Sequence, residues 1–358
     1  MIVHLFASQT NYSFTLLQLL ANQIDLEDHL FIFGIGYSQP MTFKYDDRIA
    51  SRILYTKKAG DLFSGILPAL YRANWIFIHS LAYDPSLLFW RFNLRLIKKS
   101  TWIIWGSDLY AFQKKNLSIR ARLYEWCRRK IIPCLPEIAA FVEEDANLAK
   151  EIYHSPAIYI PIIYPIPVSL SMLDRIKQKG KTEPINIMIG NSGDPSNRHI
   201  EMIAMLAHFS NEAITIQCPL SYGGTPAYKL HVMEFGQSIF GDKFQPILNL
   251  VDAEAYSRVL GRIDIALMNH KRQQGLGNIM SLLYLGKKVY LRSDTTSFYF
   301  FSRNNCLVFD ISKVPTMAFE QFSEPISDSQ LNKEYVARVL SEDNYNELWL
   351  NLINRHLK

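Results

Sequence analysis

The sequence predicts a two-domain α/β protein in which each domain is a doubly wound parallel sheet. Three observations carry this expectation. The 358 residues amount to about twice the usual single domain. Short apolar runs alternate with amphipathic stretches through the first 160 residues, and strand–helix alternation is the signature of parallel pairing. The alternation then stops in a polar segment closed by Pro184 and starts again. With 49% hydrophobic and only 20% charged residues, there is apolar surface for two cores, which excludes a disordered or fibrous chain.

In the first domain, 1–170, residues 2–6, 29–34, 75–79, 101–105 and 138–142 read as strands, with 14–23, 84–97 and 118–132 as helical partners. The run 158–168 (IYIPIIYPIPV) is the longest apolar stretch. It is too short to span a bilayer and carries Pro161, Pro165 and Pro167. Residues 171–184, mostly LDRIKQKGKTEP, form the expected linker. The second domain, 185–327, has strands at 185–189, 213–217, 244–250, 263–267 and 288–291, with helices at 198–209, 226–240, 252–261 and 276–285. Residues 328–358 read as helix returning to the first domain.

Cys127, Cys134, Cys218 and Cys306 form no CxxC pair. Neither a disulfide framework nor a metal site is expected, and a reducing compartment fits. The start MIVHLFA lacks a cationic region, so no signal peptide is expected. There is no Asp-x-Asp, HExxH, GxSxG or P-loop pattern.

Ligands of doubly wound sheets bind outside the carboxyl ends of the strands, so the loops there are the candidates. Gly190-Asn191-Ser192-Gly193-Asp194 follows the first strand of the second domain. Its glycines let backbone amides approach an anion, and Ser192 adds a hydroxyl; an ordinary strand-to-helix turn capped by Ser196 is the alternative. Arg272-Gln273-Gln274-Gly275-Leu276-Gly277 opens a helix after another strand. A guanidinium fork beside uncovered amides suits a diphosphate, and the glutamines add donors. In Trp105-Gly106-Ser107-Asp108 the carboxylate is either a general base toward a hydroxyl or a helix cap. His79, ending a neighbouring strand, either shares that role or is structural.

WGSDLY, GNSGDPSNRHI, PLSYGGTPAY and RQQGLGNIMSLLYLGKKVYL, followed by Asn344-Tyr345 and Trp349, resemble the TDP-4-acetamido-4,6-dideoxygalactose:lipid II transferase family. The likeness runs in order from His79 to Trp349. It implies the GT-B architecture: two Rossmann-like domains facing a cleft, with a C-terminal helix crossing back. It implies transfer of a deoxyaminosugar from a dTDP-sugar to a polyprenyl-diphosphate-linked glycan, without metal or other cofactor, by a peripheral protein at the cytoplasmic face of the bacterial inner membrane. Asn191, Ser192, Gly193, Arg272, Gln273, Gln274 and Gly275 would hold the nucleotide diphosphate, Tyr222 and Gly277 would line the sugar or nucleotide pocket, and Asp108 or His79 would assist the acceptor. Asn269-His270-Lys271 stands where the family has an aromatic–alanine pair before the arginine. A nucleotide-sugar 2-epimerase of the same architecture is the rival enzyme.

The net charge of +5 is unevenly placed. Eleven Lys or Arg stand against Asp108 and Glu125 between residues 91 and 130, a local +9 that leaves the rest at −4. Arg91, Arg95, Lys98, Lys99, Lys114, Lys115, Arg120, Arg122, Arg128, Arg129 and Lys130 interleave with Trp90, Phe92, Trp102, Tyr124 and Trp126. Such a stretch suits an anionic membrane surface, and a single-stranded nucleic-acid binder is the alternative of a different class.

Overall fold

The computed structural model describes residues 1–34, 43–56, 66–81, 86–113, 118–176 and 184–357. Lys114, Lys115 and half of the expected linker lie outside them. The chain divides into two compact units, Met1–Ile166 with Glu342–Lys358, and Pro167–Ser341.

The first unit holds the strands β1 (Ile2–Phe6), β2 (His29–Phe33), β3 (Ile53–Tyr55), β4 (Trp75–His79), β5 (Ser100–Ile103), β6 (Glu137–Ala140) and β7 (Ile158–Pro161). They pair in parallel in the order β3-β2-β1-β4-β5-β6-β7. Apolar side chains leave both faces: Val3, Leu5, Ile76 and Ile78 enter one core, and Ile2, Phe6, Phe31 and Phe77 the other. Burial on both faces explains why β1 reads as an apolar run rather than an alternation. The connections run in opposite directions from β1 and β4, which opens a crevice at their carboxyl ends. The helix expected over 84–97 is two, α1 (Ser86–Phe92) and a short turn at Leu94–Ile97. Asn93 breaks it because its Nδ2 donates back to the Phe89 carbonyl and its Oδ1 accepts from the Tyr71 hydroxyl. Next comes α2 (Ile119–Ile131), with Ser118 as its cap.

In the second unit β8 (Ile185–Ile189), β9 (Ile214–Pro219), β10 (Phe244–Ile247), β11 (Ile265–Met268), β12 (Lys288–Leu291) and β13 (Phe309–Asp310) pair in parallel in the order β10-β9-β8-β11-β12-β13. Here the switch point falls between β8 and β11. Each is followed at its carboxyl end by one of the two glycine loops, and α3 (His199–Leu206) and α4 (Leu276–Tyr284) continue the chain.

The segment 328–358 does not travel as one block. Its first helix, α5 (Gln330–Val339), packs against α4 within the second unit. Only α6 (Glu342–Asn354) belongs to the first unit. There Trp349 is buried and donates to the Ile163 carbonyl at 2.9 Å. Arg355 and His356 reach the buried Glu137 carboxylate at 3.2 and 3.1 Å. Burial opposes ionisation of Glu137, yet the His356 and Thr101 bonds outweigh it and hold the carboxyl below its usual range.

Candidate functional site

At the switch point of the second sheet, β8 ends on Gly190 with φ of +68°. A β-carbon there would sit 2.7 Å from Asn197 Oδ1 and 3.0 Å from His199 Nε2, so the position demands glycine. What fills that space is a clamp. Fully buried Asn197 accepts from the Asn191 amide at 2.9 Å and pairs with His270 Nε2 at 2.7 Å through Oδ1. Through Nδ2 it donates to the Ser192 carbonyl, the Ser192 hydroxyl and the Asp194 carbonyl at 2.9 to 3.1 Å. The amide thereby fixes the whole Gly190–Asp194 turn. Burial first, then the charge of Arg272, pushes His270 down to about 3, and burial pushes His199 to about 4, so both rings are neutral. A neutral His270 donating from Nε2 suits an amide oxygen, which can only accept.

A chain of side-chain bonds then ties three loops together. Arg272 Nη2 donates to Ser196 Oγ at 3.3 Å, and that hydroxyl to Gln274 Oε1 at 2.7 Å. Gln274 Nε2 donates to Asn191 Oδ1, and Asn191 Nδ2 to the Tyr222 hydroxyl, each at 3.1 Å. Gly193 is fixed from the other side, its amide donating to the Tyr222 carbonyl at 2.7 Å. A β-carbon on Gly193 would meet Lys229 Cε at 2.7 Å, so the stem of a second cation lies against the turn. The Asn191, Ser192, Gly193, Arg272, Gln274, Gly275 and Tyr222 expected from the sequence are thus brought together. The Gln273 carbonyl accepts from its neighbour Arg272 Nη1, and that of Gly277 from Ser281 one turn along α4, and neither of these bonds joins its residue to the other loops.

The electrostatics at this edge favour an anion. α4 starts at Gly275, φ +67°, with no side chain capping its first turn, and α3 starts at Arg198, also without a side-chain cap. Uncovered first-turn amides and the helix dipole both attract negative charge. Asp194 stays ionised beside them: burial would raise its pKa, but the Ser196 bonds and Arg272 hold it lower. It serves as the cap of the Pro195–Asn197 turn.

The first unit's candidates fare differently. All of Asp108's bonding goes to the chain itself: Oδ2 accepts from the Leu81 amide and Trp102 Nε1, and Oδ1 from the Trp105 amide, at 2.8 to 3.0 Å. Buried and triply bonded, it holds the turn between β5 and the following residues, which is the capping alternative and not the base. His79 is also buried, bonded through one nitrogen to His4 and through the other to the Tyr164 hydroxyl.

The basic stretch divides. Arg128 is fully buried, donating to Tyr153 and the Leu81 carbonyl, and cannot meet a membrane. Lys99 is bound to the Tyr71 and Ala73 carbonyls, and Arg91 lies over the Trp126 ring at 5.0 Å. Arg95, Lys98, Arg120, Arg122, Arg129 and Lys130 are exposed. So are Phe92, Ile119, Leu123 and Trp126 at 79, 88, 42 and 45%. On α2 those apolar residues recur at i, i+4, i+7, opposite the buried Tyr124, Cys127 and Ile131. No helix among the described residues is long and apolar enough to cross a membrane.

Sequence reasoning gave no site role to Asn197, His270 and Lys229, and read Ser196 only as the alternative helix cap; Asp194 takes that part, and the Ser196 hydroxyl joins Arg272 to Gln274 instead. Asn197 and Ser196 lay inside the GNSGDPSNRHI motif, and nothing local distinguishes a clamp from a cap.

Residues 70–353 match the family model described as 4-alpha-L-fucosyltransferase, glycosyl transferase group 56. Among solved structures the chain is similar to a glycosyltransferase from Rickettsia africae, at 13% identity, TM-score 0.64, over 100% of this chain and 98% of that one. It is similar to sucrose-phosphate synthase from Thermosynechococcus elongatus, at 11% identity, TM-score 0.67, over 99% and 98%. A third is Anabaena Alr3699/HepE, crystallised with UDP and glucose, at 10% identity, TM-score 0.66, over 99% and 100%. At these identities the likeness is one of fold, the GT-B arrangement of two parallel-sheet α/β domains.

Proposed function

Since the chain belongs to glycosyl transferase group 56 and is a glycosyltransferase, we propose that it moves a deoxyaminosugar from a dTDP-sugar to a polyprenyl-diphosphate-linked glycan at the cytoplasmic membrane surface, without a metal. The observation that supports this reading is the bonded convergence of three loops on Arg272 at the switch point of the second sheet. Arg272, the Gly190–Asp194 amides and the first turn of α4 offer charge-assisted and backbone donors where a departing diphosphate builds up charge. Lys229 adds a cation beside Gly193. The cofactor-free reading is supported by these groups, which are of the kind that neutralises a diphosphate without a metal.

The exposed face of α1 and α2 supports the lipid part. Six exposed cations around Phe92, Ile119, Leu123 and Trp126 are worth about 1 kcal/mol each near an anionic surface, with the aromatic ring at the interface. Thermal unfolding with dTDP, UDP, GDP and ADP tests the donor. A ligand at 100 times its Kd adds about 2.7 kcal/mol of stability, so dTDP alone should raise the midpoint. Equal silence from all four sinks the donor site.

A further inference from the structure

The carboxylate of the Trp105-Gly106-Ser107-Asp108 loop is spent on the fold, and what the loop presents at the carboxyl edge of the first sheet is Trp105. Three segments meet there, all within the first unit. Trp105 stands two residues past β5, Ser80 directly past β4, and Tyr12 on the helix Asn11–Gln23 that follows β1. Asp108 ties the first two together, because its Oδ1 accepts from the Trp105 amide and its Oδ2 from the amide of Leu81, next to Ser80. The Ser80 amide also donates to the Ile103 carbonyl at 3.0 Å. Ser80 holds φ of +77°, a region unfavourable to a residue with a β-carbon, and such strain collects where a fold aims a side chain at a ligand.

Trp105 is held as a rigid plate. Its Nε1 donates to the Tyr164 oxygen at 2.9 Å, and the Tyr164 hydroxyl donates on to His79 Nδ1. Desolvation keeps the phenol protonated and the imidazole neutral, which fixes that direction. Behind them His79 Nε2 lies 3.1 Å from His4 Nδ1, and His4 Nε2 3.2 Å from His29 Nδ1, so the brace runs back through buried rings of β4, β1 and β2. With its one polar side-chain atom spent on Tyr164, the partly exposed Trp105 offers carbon to solvent. The Tyr12 ring, 36% exposed, stands 6.4 Å away at 69° to it. The hydroxyls of Ser80, partly exposed, and Ser107, exposed, are bonded to no other described residue. An apolar plate with uncommitted hydroxyls beside it matches a pyranose. The slightly positive C–H groups on a face of the sugar settle on the electron-rich indole, while hydroxyls at the sugar's edge exchange hydrogen bonds with serine.

We propose that Trp105 is the stacking platform for a pyranose ring of the acceptor glycan, with Ser80 and Ser107 as its hydrogen-bonding rim and Tyr164 as the residue that positions the indole. The inference rests on the reading of the first unit as the acceptor side. It gives the Trp105–Asp108 loop a part in choosing the acceptor and none in moving a proton, and it makes His79 a support for Tyr164.

Indole 15N NMR of the full chain reads the site without catalysis. The Trp105 signal, identified by its loss in Trp105→Phe, should shift saturably with at least one of the methyl pyranosides of glucose, galactose, mannose and N-acetylglucosamine, and stay in place with dTDP. Tyr164→Phe should move the same signal in the free protein, because Nε1–H loses its acceptor. In transfer from a dTDP-deoxyaminosugar to a short-chain polyprenyl-diphosphate glycan, Trp105→Ala should raise the acceptor KM roughly 10- to 100-fold at unchanged donor KM. Trp105→Phe, which keeps a flat apolar ring, should recover most of that loss, and Tyr164→Phe should raise the acceptor KM at unaltered kcat. No shift with any pyranoside, a shift with dTDP instead, or an unchanged acceptor KM in W105A overturns the platform. Should W105A fail to fold, Ser107→Ala at its exposed position is the second variant, with an acceptor KM raised about 3- to 10-fold, and an unchanged value overturns the rim. Absence of transfer by the wild type beside a Trp105 signal that a pyranoside shifts supports the sugar site and counts against the donor and acceptor proposed above.

Discussion

Asn197→Asp changes one atom of the clamp beneath the proposed diphosphate loop, and its cost follows from the hydrogen bonds it breaks rather than from lost volume. The native Nδ2 serves the Ser192 carbonyl, the Ser192 hydroxyl and the Asp194 carbonyl. A carboxylate can accept from the Ser192 hydroxyl, which turns to donate, but it serves neither carbonyl. If it takes up a proton, one O–H restores one of those two bonds and one carbonyl stays bare, at about 1–3 kcal/mol. The penalty is therefore about 1–3 kcal/mol, or about 2–12 °C in the unfolding midpoint of a unit this size. The sign with pH is fixed. Burial raises the new carboxyl above its unfolded value of about 3.9, so the folded variant binds the extra proton and its deficit widens as pH rises through that interval. Thermal unfolding of variant and wild type from pH 4.5 to 8, with dTDP titration at each pH, measures both effects. A midpoint within about 1 °C of wild type at pH 7, with dTDP affinity intact, refutes the view that this amide holds the loop.

Arg272→Ala removes a charge-assisted donor worth about 1.5–3 kcal/mol, so dTDP affinity by calorimetry should fall about 10- to 100-fold; an unchanged Kd removes Arg272 from the site. Gly275→Ala forces φ of +67° on an L side chain and brings Cβ to 3.2 Å from Asn191, a strain of about 1–2 kcal/mol that should appear in urea unfolding and in weaker dTDP binding together. Leu123→Glu with Trp126→Glu should abolish flotation on acidic vesicles without affecting dTDP binding; flotation equal to wild type would place the membrane face elsewhere. His29 and His199 are held at about 4 and His270 at about 3, below the usual 6.5. Unfolding lets them take protons, so stability should decline as pH falls from about 6.5 toward 4, by an amount on the order of kilocalories. Flat stability over that range would show the rings to be less buried than they are placed.

Periodicity settled what depends on neighbours in the chain. The strands at 2–6, 75–79 and 185–189 are apolar runs long enough to be buried on both faces, and each is followed by helix, which leaves parallel pairing as the outcome. The two glycine loops were legible because glycine at a strand end is a local backbone requirement, met here by positive φ at Gly190 and Gly275. Short edge strands such as Phe309–Asp310 escaped because two residues carry no period.

What side chains do once folded was not written locally. Asp108 and Asn197 both look like turn polars in sequence; one is consumed by three backbone and indole donors, the other braces the Gly190–Asp194 turn, and only the partners brought by the fold decide which. Arg128 belonged to a cationic run until packing against Trp102 and Tyr153 withdrew it from the surface. His4, His29 and His79 lie far apart in the chain and align only because β2, β1 and β4 are adjacent in the sheet. The sequence by itself determined the two parallel sheets and where their loops emerge, since those follow from spacing along the chain. The tertiary structure decided which polar groups are spent on the fold and which remain for chemistry, because hydrogen bonds are satisfied by neighbours in space.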